Sequence, residues 1–256
     1  MIDMLHDYKL KSAILAFLSG APVRAGFAWG FREALFNRSV RRKEQLNKNM
    51  AQLNSELLKS LEVPVKVETP RISLRAQQQR DKALVIIHPG GYYASQRWDA
   101  ENFALLGKRL LEKPEIDLLI MGGSQDRSLV NHLVLKLGNK NVKTEFPGMK
   151  DLVLLLSKCN LLVCNNSGPL HLAAALGVPT VSMMGPTDPA LWWPIGDNHI
   201  VLRKNLSCSP CSRGICNKHD CMKLITVDEA MQAVEAQIKK IQNDIKMPLS
   251  KTNFNS

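Results

Sequence analysis

The sequence predicts an α/β protein built on a Rossmann-like, doubly wound parallel sheet, and three observations carry that expectation. From residue 83 onward, short apolar runs alternate with segments of helical length, the pattern of a parallel sheet covered by helices. One of them, Leu161-Leu-Val-Cys164, is continuously apolar, as strands buried on both faces are. Glycine-bearing loops follow three of the runs, at His88-Pro-Gly-Gly91, Gly122-Gly123 and Asn165-Asn-Ser-Gly168. All three loops should therefore open on one edge of the sheet.

The stretch around Cys164 organises the rest. Leu161-Leu-Val-Cys164 has the length and composition of a buried strand. Asn165 to Pro169 is a polar turn in which Ser167 or Gly168 can cap a helix, with Pro169 allowed in its first turn. Leu170 to Leu176 is a short helix, stopped by Gly177 and Pro179. Thr180 to Met184 is the next strand, ending in Gly185-Pro-Thr-Asp-Pro189. In such a strand–turn–helix–strand unit the new helix presents free N–H groups and its positive dipole end. An anionic ligand is expected around residues 165–171.

Taken in order, Met1 to Leu5 reads as a strand, Lys11 to Leu18 as a helix ending at Gly20, and Gly26-Phe27 as part of a further strand. Arg32 to Lys48 is strongly basic, through Arg38, Arg41, Arg42, Lys43 and Lys48. It reads either as a solvated helix face or as a contact for an anionic acceptor or membrane surface. Lys48 to Leu61 reads as a helix with Leu53, Leu57, Leu58 and Leu61 on one face. The prolines and polar residues between Glu62 and Lys82 mark a boundary. Domains are expected at 1–78 and 79–228, followed by a terminal helix and flexible tail over 229–256. Beyond the boundary come a strand at Ala83–Ile87, a helix at Asp99–Leu111 with Asp99 as N-cap, and a strand at Asp117–Met121. A helix at Gln125–Leu137, a short strand at 142–145, a helix at Met149–Lys158 and a terminal helix at Leu224–Ile245 complete the pattern.

Composition narrows the function. A net charge of +11 and a pI near 9.5 call for phosphate ligands, nucleic acid or a membrane surface as partner. Aromatics at 5% are too scarce for the aromatic-laced groove of a nucleic-acid binder. Gly-x-Gly-x-x-Gly and Gly-Lys-[Ser/Thr] are both absent, which argues against dinucleotide oxidoreductases and P-loop enzymes. Residues 1–10 carry Asp3, Asp7 and Lys9 where a signal peptide needs an apolar core, so the chain reads as cytoplasmic. Cys208-x2-Cys211-x4-Cys216-x4-Cys221 could wrap a tetrahedral zinc, or its thiols could simply pack a loop; Cys159 and Cys164 read as core.

Three blocks resemble glycosyltransferase family 9, the ADP-heptose:lipopolysaccharide heptosyltransferases. They are Asn165 to Thr180 with Gly185-Pro-Thr-Asp-Pro189 and Trp193-Pro194, then His88 to Trp98 with Asn102-Phe103, and, more weakly, Ser19 to Phe27. The resemblance runs in order from about residue 1 to 238. It implies a GT-B architecture of two Rossmann-like domains, with a complete C-terminal domain and a partial N-terminal one. It implies a nucleotide-sugar site at Gly90, Gly91, Arg97, Met149, Asn166, Ser167, Gly168 and His171. Arg97 matches the family's basic residue beside a tryptophan, and its planar fork suits phosphate oxygens. His171, at a helix start, should have a lowered pKa and act as a neutral donor. Asn166 departs from the acidic residue usual in the family.

The implied reaction is an inverting displacement. A carboxylate deprotonates an acceptor hydroxyl of the lipopolysaccharide inner core, which attacks the anomeric carbon of ADP-heptose as ADP leaves. Helix dipole and Arg97 would stabilise the growing diphosphate charge, with no metal or cofactor required. Peripheral contact with the anionic inner membrane and no nucleic-acid partner are the matching expectations. Family members carry a Gly-Asp pair, whose aspartate serves as base, ahead of the segment resembling Met1–Phe27. Asp3 and Asp7 do not match it, so no catalytic residue is carried over, and an inactive nucleotide-sugar-binding fragment is the alternative expectation.

Overall fold

The computed structural model describes residues 10–28, 30–41, 48–65, 70–74, 81–139 and 142–246. The strand expected at Met1–Leu5, the basic residues Arg42 and Lys43 and the tail beyond residue 246 lie outside them. Two units make up the chain: Met1–Glu68 with Ala190–Trp193, and Thr69–Pro189 with Pro194–Ser256.

In the first unit, α1 (Leu10–Leu18) precedes β1 (Ala25–Phe27), a 3-10 turn (Gly30–Leu35), β2 (Arg38–Val40) and α2 (Met50–Lys59). β1 and β2 pair in parallel, Gly26 opposite Ser39. The Arg38 end of the basic stretch is therefore a strand, which removes the helix-face reading, one of the two held open for it, because Val40 is needed in the core beside Phe27, Leu53 and Leu57. α2 opens with a complete capping box: Asn49 Oδ1 accepts from Gln52 N, and Gln52 Oε1 accepts from Asn49 N. Leu53 and Leu57 are fully buried from its apolar face.

The second unit carries a six-stranded, all-parallel sheet of β3 (Ala83–His88), β4 (Ile116–Met121), β5 (Lys143–Glu145), β6 (Leu161–Asn165), β7 (Thr180–Met183) and β8 (His199–Leu202). The spatial order is β5-β4-β3-β6-β7-β8. Counted from its own first strand this is 3-2-1-4-5-6, the doubly wound Rossmann order. The described helices after β3 are α3 (Ala100–Leu111), α4 (Arg127–Leu137), α5 (Met149–Ser157), α6 (Gly168–Ala175), the short α7 (Pro189–Trp192, whose residues from Ala190 on belong to the first unit) and α8 (Asp220–Lys223), and α9 (Val227–Lys246).

Period-two alternation sorts each strand between two cores. Val85, Ile87, Leu118, Ile120, Leu161 and Val163 face α3, α4 and α9; Leu84, Ile86, Leu119, Leu162 and Cys164 face α5 and α6. Each large apolar side chain so buried contributes about 1.5–3 kcal/mol. Trp98 is the largest, set edge-on against Phe103 and donating its indole N–H to Ile225 O. It fastens the loop after β3 to the core.

β8, α7 and α8 were not expected from the sequence. β8 is an edge strand of half-buried residues whose pairing with β7 is a tertiary fact. Asp99 stands at the N-cap of α3 as expected, but its side chain makes no capping bond.

Candidate donor-binding site

In a sheet of this order the ligand crevice lies beyond the carboxyl ends of the strands, where winding reverses. Here that point falls between β3 and β6, which pair with His88 opposite Cys164. The expected loops converge there by topology: residues 89–98 follow β3, Gly122-Gly123 follow β4, Asn166–Gly168 follow β6 and Gly185–Asp188 follow β7.

The loop after β3 closes on itself. Arg97 Nε and Nη2 both donate to Gly91 O, at 2.9 and 2.7 Å. Two of the guanidinium's five N–H groups are thus spent on positioning the glycine turn. Beneath the turn lies His88, buried, with Nε2 3.9 Å from Asp126 Oδ2. That carboxylate accepts from Gly123 N at 2.9 Å, which ties the β3 and β4 loops together. A Cβ on Gly90 would stand 2.5 Å from Asp126 Oδ2 and 3.0 Å from His88 Cε1, so the turn needs glycine. Burial lowers the His88 pKa to about 4 and outweighs the opposing pull of Asp126. Its imidazole is neutral at pH 7.

Across the switch point, Ser167 is the N-cap of α6, with Pro169 in the first turn as expected. Its hydroxyl donates to Asn165 O at 3.2 Å and does not cap the helix. Gly168 is exposed with open space around it, leaving the helix start accessible to an anion. Asn166 is buried, its backbone N–H on Met183 O. The His171 pKa is lowered, as expected, but the cause is burial first and His199 second. Met149 opens α5 beyond β5 and is 70% exposed, a free apolar surface on the same edge.

Sequence reasoning passed over Asn165. It ends β6 fully buried, with Nδ2 donating to Pro89 O at 2.8 Å and Gly90 O at 3.0 Å. Its Oδ1 accepts from Trp98 N at 2.9 Å. The one available signal was a polar residue directly extending an apolar strand.

The cysteine loop braces the site from outside. Ser95 donates to Arg213 O, His219 contacts Ser95 O at 2.9 Å, and Cys211 and Ser212 donate their backbone N–H groups to Pro186 O. Cys208, Cys211, Cys216 and Cys221 carry free thiols around one cavity of about 520 Å3. Among the described residues no three His, Cys, Asp or Glu side chains converge as metal ligands. Nor is any described helix long and apolar enough to cross a membrane.

Sheet order, switch point and glycine loops define a doubly wound, Rossmann-like α/β fold with a ligand crevice at its carboxyl edge. The profile of glycosyltransferase family 9 (heptosyltransferase) matches residues 2–221, and the chain belongs to that family. It is 29% identical over 169 residues to lipooligosaccharide heptosyltransferase 2 of Campylobacter jejuni, an alignment covering 62% of this chain and 52% of that protein. It is 25% identical over 217 residues to lipopolysaccharide heptosyltransferase 2 of Escherichia coli, covering 75% and 62%. The chain thus spans about half the length of the first curated relatives. In fold it is similar to the E. coli ADP-heptose lipopolysaccharide heptosyltransferase II, with TM-score 0.70, 20% identity, and 94% and 76% of the two chains covered. An E. coli heptosyltransferase solved with ADP gives TM-score 0.66 at 20% identity, covering 92% and 72%.

Proposed function

We propose that this chain binds ADP-heptose at the carboxyl edge of its six-stranded sheet and serves heptose transfer to the lipopolysaccharide inner core. The observation that carries the reading is the meeting, at one switch point, of the Gly90–Arg97 turn and the exposed helix start at Gly168, within a family 9 chain. The diphosphate lies over Gly168, where backbone N–H groups and the helix dipole favour negative charge. Gly90 and Gly91 allow close approach from the other side, and the Arg97 guanidinium adds positive charge. Ser167, Asn166 and neutral His171 offer hydrogen bonds to sugar or phosphate, and Met149 offers apolar surface to the base. Negative charge grows on the diphosphate as the sugar leaves, so groups fixed toward it favour the transition state over the bound donor. The acceptor is the lipopolysaccharide core, and the basic residues of the first unit, Arg38, Arg41 and Lys48 among them, suit contact with an anionic surface.

Calorimetric titration with ADP, UDP and GDP tests the donor reading. Preference for ADP supports it; equal weak binding of all three contradicts it. Transfer of labelled heptose from ADP-heptose to heptose-deficient lipopolysaccharide tests the activity.

A further inference from the structure

We infer that Asn165 is the positioning residue that sets the gap between the two halves of the donor site, an inference that rests on the proposed donor reading. β6 ends at the switch point, and Asn165 is the last residue of that strand. Its side chain is fully buried and never meets the ligand edge directly. A planar amide carries two N–H donors and one carbonyl acceptor, and all three functions are used on the opposite loop. The donors reach Pro89 O and Gly90 O, and the acceptor takes Trp98 N. One group thus holds both ends of the turn that presents Gly91 and Arg97. The same residue's backbone carbonyl accepts from Ser167 Oγ, the cap position of α6. The distance from the Gly90–Arg97 turn to the Gly168 helix start is therefore referenced to a single residue.

No other side chain of that size supplies the pattern. A carboxylate is acceptor-only and would set its oxygens against the carbonyls of Pro89 and Gly90. Alanine would strand two buried carbonyls and the Trp98 N–H, each of which costs free energy when unpaired. Asn160 provides an internal control at the other end of β6. Its Oδ1 accepts from Leu84 N at 2.8 Å, so it also ties β6 to β3, but at the amino edge, remote from the donor loops.

The test compares Asn165→Ala, Asn165→Asp and Asn160→Ala in the whole chain, all assayed well below their melting temperatures. Asn165→Ala should weaken ADP binding at least tenfold, whereas Asn160→Ala, though less stable than wild type, should bind within twofold of it. Asn165→Asp keeps the shape, and burial raises the pKa of the new carboxyl. Its affinity relative to wild type should therefore fall as pH rises from 5 to 8, while the carboxyl ionises against the two carbonyls. The neighbouring titratable and charged groups, His88, Asp126 and Arg97, are common to both proteins, so the ratio isolates residue 165. Wild-type affinity in folded Asn165→Ala with no pH trend in Asn165→Asp, or an equal loss in Asn160→Ala, would overturn the inference. If wild type itself binds no adenine nucleotide, the donor reading fails, and hydrogen exchange decides the positioning role alone. The Trp98 amide should then exchange at least tenfold faster in Asn165→Ala than in Asn160→Ala; equal rates would overturn it.

Discussion

Arg97, Asn166 and His88 show three ways in which a residue contributes to one edge. Arg97 holds the carbonyl of Gly91 with two of its N–H groups, so its substitution removes both a charge and a loop clasp. Arg97→Ala should cost about 1.5–3 kcal/mol of ADP binding, the range for hydrogen bonds to charged groups, read by calorimetry. Asn166 follows the last residue of β6, at the position where the family resemblance implies an acidic residue. If it faces the sugar, Asn166→Asp changes ADP-heptose affinity and leaves ADP affinity nearly constant; equal changes would place it at the diphosphate. His88 is a stability group. In the unfolded chain its imidazole takes a proton near pH 6.5, whereas burial holds the folded value at about 4. Between those values the unfolded state binds the extra proton. The stabilising contribution is thus complete above pH 6.5 and is lost as pH falls toward 4, by roughly 3 kcal/mol. Denaturant titrations from pH 7.5 to 4.5 should show that slope, and His88→Asn should flatten it. An unchanged slope in the variant would place the effect elsewhere. The helix start at Ser167, Gly168 and Pro169 was legible because capping and proline chemistry is local, whereas Arg97 and His171 were expected as ligand residues chiefly through the family resemblance. The sequence hid the commitment of Arg97 to Gly91, the burial of His88 and the three bonds of Asn165, since each depends on a loop brought in from a distant strand.

At the scale of elements, what the pattern reveals depends on burial. β3, β4, β6 and β7 are rich in buried apolar residues and were readable within a residue or two. β2 and β8 were not: one is three residues beginning with arginine, the other half-buried throughout. Both exist because a neighbouring strand offers its backbone, which local sequence does not record. α2 illustrates the opposite case. Its capping box is local, joining Asn49 to Gln52, and its apolar spacing is helical. Asn49→Ala should weaken this helix by about 1 kcal/mol, seen as roughly fivefold faster hydrogen exchange in residues 52–56 with little change in β3. A uniform acceleration across both units would mean that the helix unfolds only with the whole chain.

For the whole molecule, the doubly wound order places the glycine loops of four strands on one edge, and that placement is the basis of the functional reading. The opposite, amino edge holds a different cavity of about 310 Å3, lined by Ile72, Gly177, Asp197 and His199 among others. The two edges give a direct choice. A crystal structure of the chain grown with ADP decides between them. The diphosphate should lie within hydrogen-bonding reach of the Gly168 and Pro169–Leu170 helix start, with the Gly90–Arg97 turn facing it across the β3–β6 switch point. ADP seated in the amino-edge cavity, or on the cysteine loop with the Gly168 helix start empty, would rule out donor binding at the carboxyl edge.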